Sequence, residues 1–188
     1  MCGRGIRPGH PRRCRRFQKS LKTHPDEPED HALGRSRGGF GSKFHLVTDG
    51  KGTPLAAEVT AGQVHESTML EPVVARFIAS RQRRRRKKPR KLAADKGYSV
   101  RRIRDWLKLN GIAPVIPHKD NEHARHDPKV RFDKQTYRQR AVIEQCVGWL
   151  KECRRIATRF EKLAVHFHGM IQLAMIRRYL GILFSDRA

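Results

Sequence analysis

The stretch LAADKGYSVRRIRDWLKLNGIAPVI, residues 92–116, decides the fold class of this protein. It begins with a short apolar run, Leu92–Ala94, and ends with a second one, Ala113–Ile116. Between the two runs lies a helical pattern that Ser99 caps and that Gly111 ends. A strand, a helix and a second strand in this order are typical of a parallel crossover. The sequence therefore predicts an α/β domain.

Residues 43–60 predict a β-hairpin upstream of the crossover. Phe44 and Leu46 alternate with polar residues, and Asp49-Gly50 suits the positive φ angles of a type I′ turn. A hairpin beside parallel strands makes a mixed sheet, which we expect helices to flank. The helical patterns predict three such helices, at 69–79 with Ser67 as N-cap, at 134–156 and at 163–184.

Two segments lack the pattern of a packed element. Residues 1–32 show neither alternation nor helical period, and they predict a basic, poorly ordered arm before a domain at 33–186. Residues 81–91 hold nine Lys or Arg in eleven positions and predict a basic loop within that domain. Two interpretations of this loop stay open, a solvated charge run and a segment that contacts phosphates.

Composition narrows the functional classes. Among 188 residues, 42 Lys and Arg stand against 18 Asp and Glu, so the formal net charge is +24. A charge of this size favours a polyanionic partner, with nucleic acid first and an anionic membrane second. No apolar run approaches the roughly 18 residues that a membrane span needs. The four cysteines form no C-x-x-C pair, as expected for a reduced cytoplasmic protein.

The glycine-rich segment Gly34–Lys43 predicts a basic loop that could hold phosphate through backbone N–H groups and through Arg35, Arg37 and Lys43. Its spacing matches no nucleotide-binding motif. His118, His123 and His126 predict a solvated loop, because no matching cysteine completes a zinc site.

Tyr137, Arg140, Glu144 and Lys151 have the spacing Y-x2-R-x3-E-x6-K within the predicted helix 134–156. At about 100° per residue these four side chains share one narrow stripe. An exposed ion-pair stripe is the alternative interpretation.

Asp95 directly follows the apolar strand 92–94, where functional groups of open α/β sheets collect. An ordinary turn or capping aspartate is again the alternative. Two carboxylates from different elements of a very basic protein indicate Mg²⁺ or Mn²⁺ and phosphodiester chemistry. We therefore expect the carboxylates of Asp95 and Glu144 to approach within about 4–8 Å of each other.

The chain resembles bacterial insertion-sequence transposases of the DDE type, in particular the group with the Y-x2-R-x3-E-x6-K signature. The resemblance covers residues 33–184 and rests on several segments in the same order: LGRSRGGFGSK at 33–43, GTPL at 52–55, TAGQVHES at 60–67, ADKGY at 94–98, GIAPVIP at 111–117 and the stretch 137–151.

The resemblance implies a ribonuclease-H-like mixed sheet and DNA cleavage and strand transfer at the ends of the element by two-metal phosphoryl transfer. Asp95 and Glu144 match the second and third metal-binding acids. Arg140 and Lys151 match residues that contact DNA phosphates, and Tyr137 one that packs against DNA or orients the site. The family also implies a homodimer on double-stranded transposon ends and target DNA, in the bacterial cytoplasm with the nucleoid.

One departure concerns the first catalytic aspartate, which the family carries on the first strand, upstream of the glycine-rich segment. Residues 1–30 predict no strand, so we expect this strand to be missing or incomplete and the chain to be a downstream-frame or truncated product. Asp49 is the alternative ligand. The resemblance leaves open whether the chain is an active enzyme or a non-catalytic DNA-binding fragment that regulates transposition.

Overall fold

The computed structural model of this protein describes residues 2–5, 24–83, 88–119 and 132–185. The strands are β1 Cys2–Gly5, β2 Gly34–Ser36, β3 Gly39–Thr48, β4 Pro54–Ala61, β5 Lys91–Ala93 and β6 Ala113–Val115. The helices are α1 Glu66–Arg83, α2 Arg101–Leu109, α3 Lys134–Arg138, α4 Ala141–Glu152, α5 Arg154–Ala157 and α6 Ala164–Ser185, with a 3₁₀ turn at Lys96–Tyr98. None of these helices is long and apolar enough to cross a membrane.

β3 is the central strand of an antiparallel sheet. β4 pairs with one edge of β3 in the register Phe44 to Val59, which confirms the predicted hairpin. On the other edge, β1 pairs with the middle of β3, Cys2 opposite His45. β2 pairs with the start of β3 on the side away from β1, beyond the end of β4.

The predicted type I′ turn at Asp49-Gly50 is wrong. A longer loop joins the strands, and the positive φ of 79° belongs to Gly52, not to Gly50. The Asp49 carboxylate accepts hydrogen bonds from the N–H groups of Lys51 and Thr53, at 2.9 and 2.8 Å. A register irregularity between Val47 and Thr48 shifts the pairing, so a two-residue turn no longer closes the hairpin.

β5 and β6 form a separate two-stranded parallel sheet, with α2 as the crossover. This confirms the parallel unit and the mixed α/β class. Gly111 follows α2 with a φ of 73°, as a helix-ending glycine does. The expectation of one continuous mixed sheet differs from the structure, because no strand pair joins the two sheets among the described residues.

The segment Gly34–Lys43 is a tight hairpin, which corrects the prediction of a glycine-rich loop, while phosphate contact by its basic side chains stays a prediction. β2 pairs with β3 from Gly34 opposite Gly41 to Ser36 opposite Gly39. The turn uses the positive φ of 110° at Gly39, and the Ser36 hydroxyl donates to the Gly39 carbonyl at 3.0 Å. Strand pairing therefore engages backbone groups that the loop interpretation offered to phosphate.

Parts of the predicted poorly ordered arm have defined structure. Cys2–Gly5 is a strand, although residues 1–30 were expected to contain none. Glu27 lies against the first turn of α6, with its two carboxylate oxygens 2.7 and 2.9 Å from the N–H groups of Ala164 and Val165. These contacts join residues far apart in the chain, and no local sequence pattern predicts them.

Three clusters of apolar residues form the core. The first lies between β3, β4, α4 and α6 and includes Phe44, Leu150 and Ile171. The second joins α1, α2 and the parallel sheet, and the third packs Val73 and Phe77 of α1 on β4. Helices thus cover both faces of the central strand.

The predicted helix 134–156 is divided into α3, α4 and α5. Around Arg140 the backbone bonds reach back only three residues, as from Arg140 N to Tyr137 O and from Ile143 N to Arg140 O. This tighter turn separates Tyr137 from the helix of Glu144. At Cys153 the backbone is extended, with φ −71° and ψ 103°, and α4 ends there.

The two other helix predictions are confirmed with shifted ends. α6 matches the predicted helix 163–184 closely. α1 begins at Glu66, so Ser67 lies inside the first turn and is not the N-cap. α1 also extends to Arg83, which shortens the predicted basic loop at its start; residues 84–87 of that loop lie outside the described residues. His123 and His126 lie outside them too.

Candidate functional site

A cavity of about 460 Å³ lies between the two sheets. Leu46–Asp49 of β3 and its turn form one side, and Lys91–Asp95 of β5 and its end form the opposite side. Apolar side chains of α1, including Val73 and Val74, close a third side. Gln139, Arg140, Val142 and Ile143, around the start of α4, contribute to the fourth. The cavity therefore has two strand edges and two helices as its walls.

Asp95 lies at the cavity where β5 ends. It precedes the 3₁₀ turn Lys96–Tyr98 as its N-cap, and its Oδ1 accepts a hydrogen bond from the N–H of Lys96 at 2.7 Å. The side chain is half-buried and lines the cavity. The alternative interpretation of Asp95 as a capping aspartate is thus observed, and it leaves the second carboxylate oxygen available to the cavity.

Arg140 connects the cavity with the predicted stripe. Its guanidinium lies 5.5 Å from the centre of the Tyr137 ring, and its Nη1 lies 3.4 Å from Oε1 of Glu144. Arg140 lines the cavity together with Asp95, whereas Glu144 is exposed beside Arg140 and is not part of the cavity lining. Lys151 is exposed two turns further along α4. The stripe is therefore realised in two helices, with Arg140 at their junction.

The sequence reasoning missed two groups at the same cavity. His45 lines it from β3 with only 5% of its surface exposed, and burial lowers the pKa of His45 to about 4, aided by the charge of Lys43. Its Nε2 lies 2.8 Å from the Thr60 hydroxyl, and its Nδ1 has no hydrogen-bond partner among the described residues. The alternation of the strand placed His45 on the polar side, opposite to Phe44 and Leu46, so no sequence signal indicated its burial.

The second missed group is an ion pair between Lys91 of β5 and Asp133, at 2.6 Å. The Asp133 carboxylate also accepts a hydrogen bond from the N–H of Thr136 and caps α3. The hydrogen bond from Lys91 lowers the pKa of Asp133 most, followed by those from Thr136. The capping position of Asp133 was readable from the sequence, whereas its partner was not.

The family description "Transposase DDE domain" matches residues 16–178. The chain belongs to this transposase family. The match begins within the predicted arm, after β1, and includes β2 to β6 and all residues that line the cavity.

A curated relative from Burkholderia cepacia is named as a transposase for insertion sequence element IS402. It is 38% identical to this transposase domain over 131 residues, which cover 69% of the present chain. The same alignment spans 57% of the relative's length. No solved structure gives a significant match.

Transposases of this family generally use divalent metal ions, so the donor groups of the present domain matter. Asp95 and Glu144 offer the carboxylate oxygens that Mg²⁺ prefers. Within residues 2–5, 24–83, 88–119 and 132–185, however, no three His, Cys, Asp or Glu side chains gather into a group that could hold a metal ion. The donor chemistry fits, but the described residues do not assemble a complete metal site.

The other residues that we predicted to contact DNA lie outside the cavity lining. Arg35 and Arg37 are exposed in the β2–β3 hairpin. Lys43 is half-buried and donates a hydrogen bond to the carbonyl of Val64 at 3.1 Å, with Glu66 4.0 Å away. Lys43 therefore has a structural contact within the transposase domain, and a role in DNA binding stays a prediction for all three residues.

Proposed function

We propose that this chain is the DNA-processing domain of an insertion-sequence transposase, with a ribonuclease-H-like arrangement of its strands. Its substrate is double-stranded DNA at the ends of the element and at the target. Asp95 and Glu144 are two of the acids that hold Mg²⁺ or Mn²⁺ beside a DNA phosphate. A protein with this function works with the bacterial nucleoid and, as a homodimer, can hold two ends.

The position of Arg140 is the observation that carries the proposal. Arg140 lines the same cavity as Asp95 and pairs with Glu144, so one cation is shared between the cavity of Asp95 and the carboxylate of Glu144. Two carboxylates that bind one metal ion repel each other when the ion is absent, and a guanidinium near them reduces that repulsion. The family membership supplies the reaction class for this arrangement.

Six residues supply the DNA contacts in this proposal. Lys151 lies two turns from Glu144 on the exposed side of α4, where no acidic side chain of the described residues pairs with it. Tyr137 offers an aromatic ring, half-covered by Phe132 at 5.4 Å between ring centres. The remaining contacts come from the following basic residues: Arg35, Arg37, Lys43 and Arg140.

The acids of the described residues fit the binding of a metal ion beside DNA better than they fit the cleavage of DNA. Two carboxylates give little negative charge and few fixed ligands for a pair of ions at one phosphate. We therefore expect the chain by itself to bind DNA and to cleave it barely or not at all. Asp49 already accepts two backbone hydrogen bonds in its turn, which makes it a poor substitute for a missing acid.

A second candidate function is a non-catalytic DNA-binding protein that regulates transposition. The net charge of +24 favours this candidate, and so does the absence of a three-ligand metal cluster among the described residues. It differs from the first proposal in one respect, since it requires no metal ion at Asp95 and Glu144.

Metal-dependent DNA affinity separates the two candidates. We expect Mn²⁺ to tighten binding of a transposon-end duplex to the unmodified chain, but not to the Asp95→Asn, Glu144→Gln double variant. Asp105→Asn with Glu152→Gln is the matched control, because both acids are exposed on helices and neither lines the cavity. Equal responses of all three proteins to Mn²⁺ would favour the regulator.

Strand cleavage of the same duplex tests the expectation that the described acids form an incomplete metal site. The unmodified chain with Mg²⁺ or Mn²⁺ should cleave no faster than the double variant. Clear cleavage above that variant would show that a further acid completes the site, with Asp49 as the first candidate. Thermal melting of each variant shows whether the fold is preserved.

A further inference from the structure

The outer face of α6 carries large apolar side chains that are about half exposed. The buried residues of this helix end with Ala174 and Met175, and every residue from 179 to 184 is exposed. Between 47% and 64% of the surface of each large outer residue is exposed: Leu173, Ile176, Leu180, Leu183 and Phe184. Contiguous apolar residues of this kind mark an interaction surface, whereas single exposed ones do not.

The spacing of these side chains is that of a heptad repeat. The steps from Leu173 through Leu183 are three, four and three residues, and the same repeat reaches back to Gly169 and His166. We call these six positions the seam of α6: His166, Gly169, Leu173, Ile176, Leu180 and Leu183. A period of 3.5 residues keeps one stripe against a second helix along its whole length. The seam therefore fits another helix better than it fits a strand or a loop.

The two halves of the seam differ in shape. An open groove borders the first half, and Val165, Gly169 and Met170 are among the residues that line it. A Cβ added to Gly169 would meet no heavy atom within 4 Å beyond its own helix backbone and chain neighbours. The second half carries the side chains of Leu180 and Leu183, which extend into solvent. One half can thus receive large side chains, and the other half presents them.

A second copy of this chain matches both halves when the two α6 helices run antiparallel. A twofold axis between residues 174 and 175 sets Leu180 of each copy opposite Gly169 of the other. It also sets Leu183 opposite His166. Large side chains then face small or flat ones, as in well-packed helix pairs. Each contact occurs twice, because a twofold interface uses the same surface of both copies.

A parallel pair of α6 helices would pack less well. It would set Gly169 opposite Gly169 and leave a hole in the seam, and it would place two His166 rings against each other. Unfilled space between helices loses packing contacts, and a polar pair in an apolar seam loses hydration. The shape of the seam therefore favours the antiparallel arrangement.

We propose that two copies of this chain associate through the seam of α6, with the two helices antiparallel. The seam is about 27 Å long, and such a helix pair buries roughly 1,000 Å² in total, near the lower limit for a specific interface. We therefore expect a reversible dimer that depends on protein concentration. The inference gives the homodimer of the proposed function its surface and orientation. It involves neither DNA nor a metal ion, so its failure would leave the DNA-binding and cleavage tests untouched.

Salt separates this contact from DNA binding. The net charge of +24 makes two copies repel each other, and salt screens this repulsion while the apolar contact remains. Without DNA, the dimer fraction should rise between about 50 and 500 mM salt, whereas DNA affinity falls as salt increases. Sedimentation equilibrium at about 1–200 µM protein measures the dimer Kd. A chain that stays monomeric at the highest salt and concentration would overturn the proposal.

Leu180→Gln tests the seam itself. We expect the dimer Kd to rise by about tenfold or more, because an amide enters the apolar contact twice in each dimer. Leu109→Gln is the matched control, since Leu109 is 86% exposed on α2, outside the seam, and its replacement should change the Kd by less than about twofold. Equal Kd values of the two variants would overturn the proposal. So would a monomeric chain in which Leu180→Gln lowers binding to anionic phospholipid vesicles, which would assign this face to a membrane surface.

Gly169→Leu tests the orientation of the helices. In the antiparallel pair the new side chain collides with Leu180 of the other copy, so the Kd should rise by about tenfold or more. Gly148→Leu is the control, because Gly148 is exposed on α4 and also has no atom within 4 Å of an added Cβ. A lower Kd for Gly169→Leu would mean that leucine fills a hole between parallel helices, and it would overturn the proposal. Circular dichroism and Tm show that each variant is folded.

Cysteine cross-linking gives a second measurement, which also detects a weakly populated dimer. Under mild oxidation, an equal mixture of Gly169→Cys and Leu180→Cys chains should form disulfide-linked dimers, because the antiparallel pair places these positions opposite each other. Each variant alone should cross-link no more than the unmodified chain, which carries the same native cysteines. Cross-linking of Leu180→Cys alone, or none above the unmodified chain in the mixture, would overturn the proposal.

Discussion

His45 shows how a single buried side chain couples this fold to pH. Burial in β3 lowers its pKa from the ordinary 6.5 to about 4, so the folded state prefers the neutral ring. The unfolded chain takes up a proton near pH 6.5 and the folded chain only near pH 4. The contribution of neutral His45 to the stability of the folded state is therefore complete above pH 6.5, and it is lost as the pH falls toward 4.

We expect the free energy of unfolding to fall by up to about 3 kcal/mol between pH 7 and pH 4 on account of His45. Urea unfolding of the unmodified chain and of His45→Gln measures this, and the variant should show a flatter profile across that range. His166→Gln serves as the control, because His166 is exposed and its replacement leaves the profile unchanged. A His45→Gln profile as steep as that of the unmodified chain would contradict the assignment.

Arg159 joins two distant parts of the chain through backbone carbonyls. Its guanidinium donates to the carbonyls of His31 at 2.8 Å and Ala32 at 3.1 Å, and to the hydroxyl of Ser42. It also lies 5.2 Å from the centre of the Phe167 ring. A lysine cannot reproduce this fork of donors.

Replacing Arg159 by lysine should therefore destabilise the domain by about 1–3 kcal/mol, since several buried acceptors lose their donors. Thermal or urea unfolding measures the loss. Arg154→Lys, at an exposed position of α5, should change stability by less than about 0.5 kcal/mol. Equal stability of the two variants would show that the carbonyls find other partners.

At the scale of elements, the start of α6 depends on a carboxylate from far upstream. The side chain of Glu27 is fully buried, and it accepts hydrogen bonds from the N–H groups of Ala164 and Val165 and from His31. Burial raises the pKa of Glu27, but these hydrogen bonds lower it more, so the pKa lies below its ordinary value. The contact stabilises the domain when the carboxylate is charged.

Glu27→Gln should cost about 1–2 kcal/mol near pH 7, the usual effect of losing a charged helix cap. The folded pKa of Glu27 is lowered, so its stabilisation is present above about pH 4.5 and is lost as the pH falls below that value. Unfolding at pH 7 and pH 3 should thus show a variant effect at the higher pH only. Glu29→Gln is the control, because Glu29 is exposed nearby.

The junction between α3 and α4 positions the candidate site. A continuous helix would place Tyr137, Arg140 and Glu144 in one row, whereas the tighter turn at Arg140 brings its guanidinium between the Tyr137 ring and the Glu144 carboxylate. Arg140 therefore contacts both neighbours and still lines the cavity.

At the scale of the whole molecule, the net charge of +24 dominates encounters with polyanions. If about 6–10 phosphates are contacted, DNA affinity should fall by roughly 10³–10⁵ between 50 and 200 mM salt. A salt titration of duplex binding measures the slope. Lys151→Gln should reduce the slope by about 1 if Lys151 contacts one phosphate, whereas an affinity that barely changes with salt would contradict an electrostatic interface.

Sequence by itself predicted the elements whose pattern is local. The parallel crossover was predicted from the apolar runs at 92–94 and 113–116 with a helical pattern between them. The hairpin of β3 and β4 was predicted from the alternation that begins at Lys43. Alternation and helical period depend on neighbours along the chain, so they are readable without knowledge of the rest. The motifs that suggest the family are equally local, and the family match confirms that part of the interpretation.

Tertiary structure alone decided how these elements meet. Glu27 caps a helix that begins 137 residues later, Arg159 binds carbonyls of residues 31 and 32, and Lys91 pairs with Asp133. The division of the strands between two sheets, and the cavity between them, also required the structure. Such contacts depend on which surfaces pack together in three dimensions. Because the two partners are residues far apart in the chain, no spacing in the sequence encodes them.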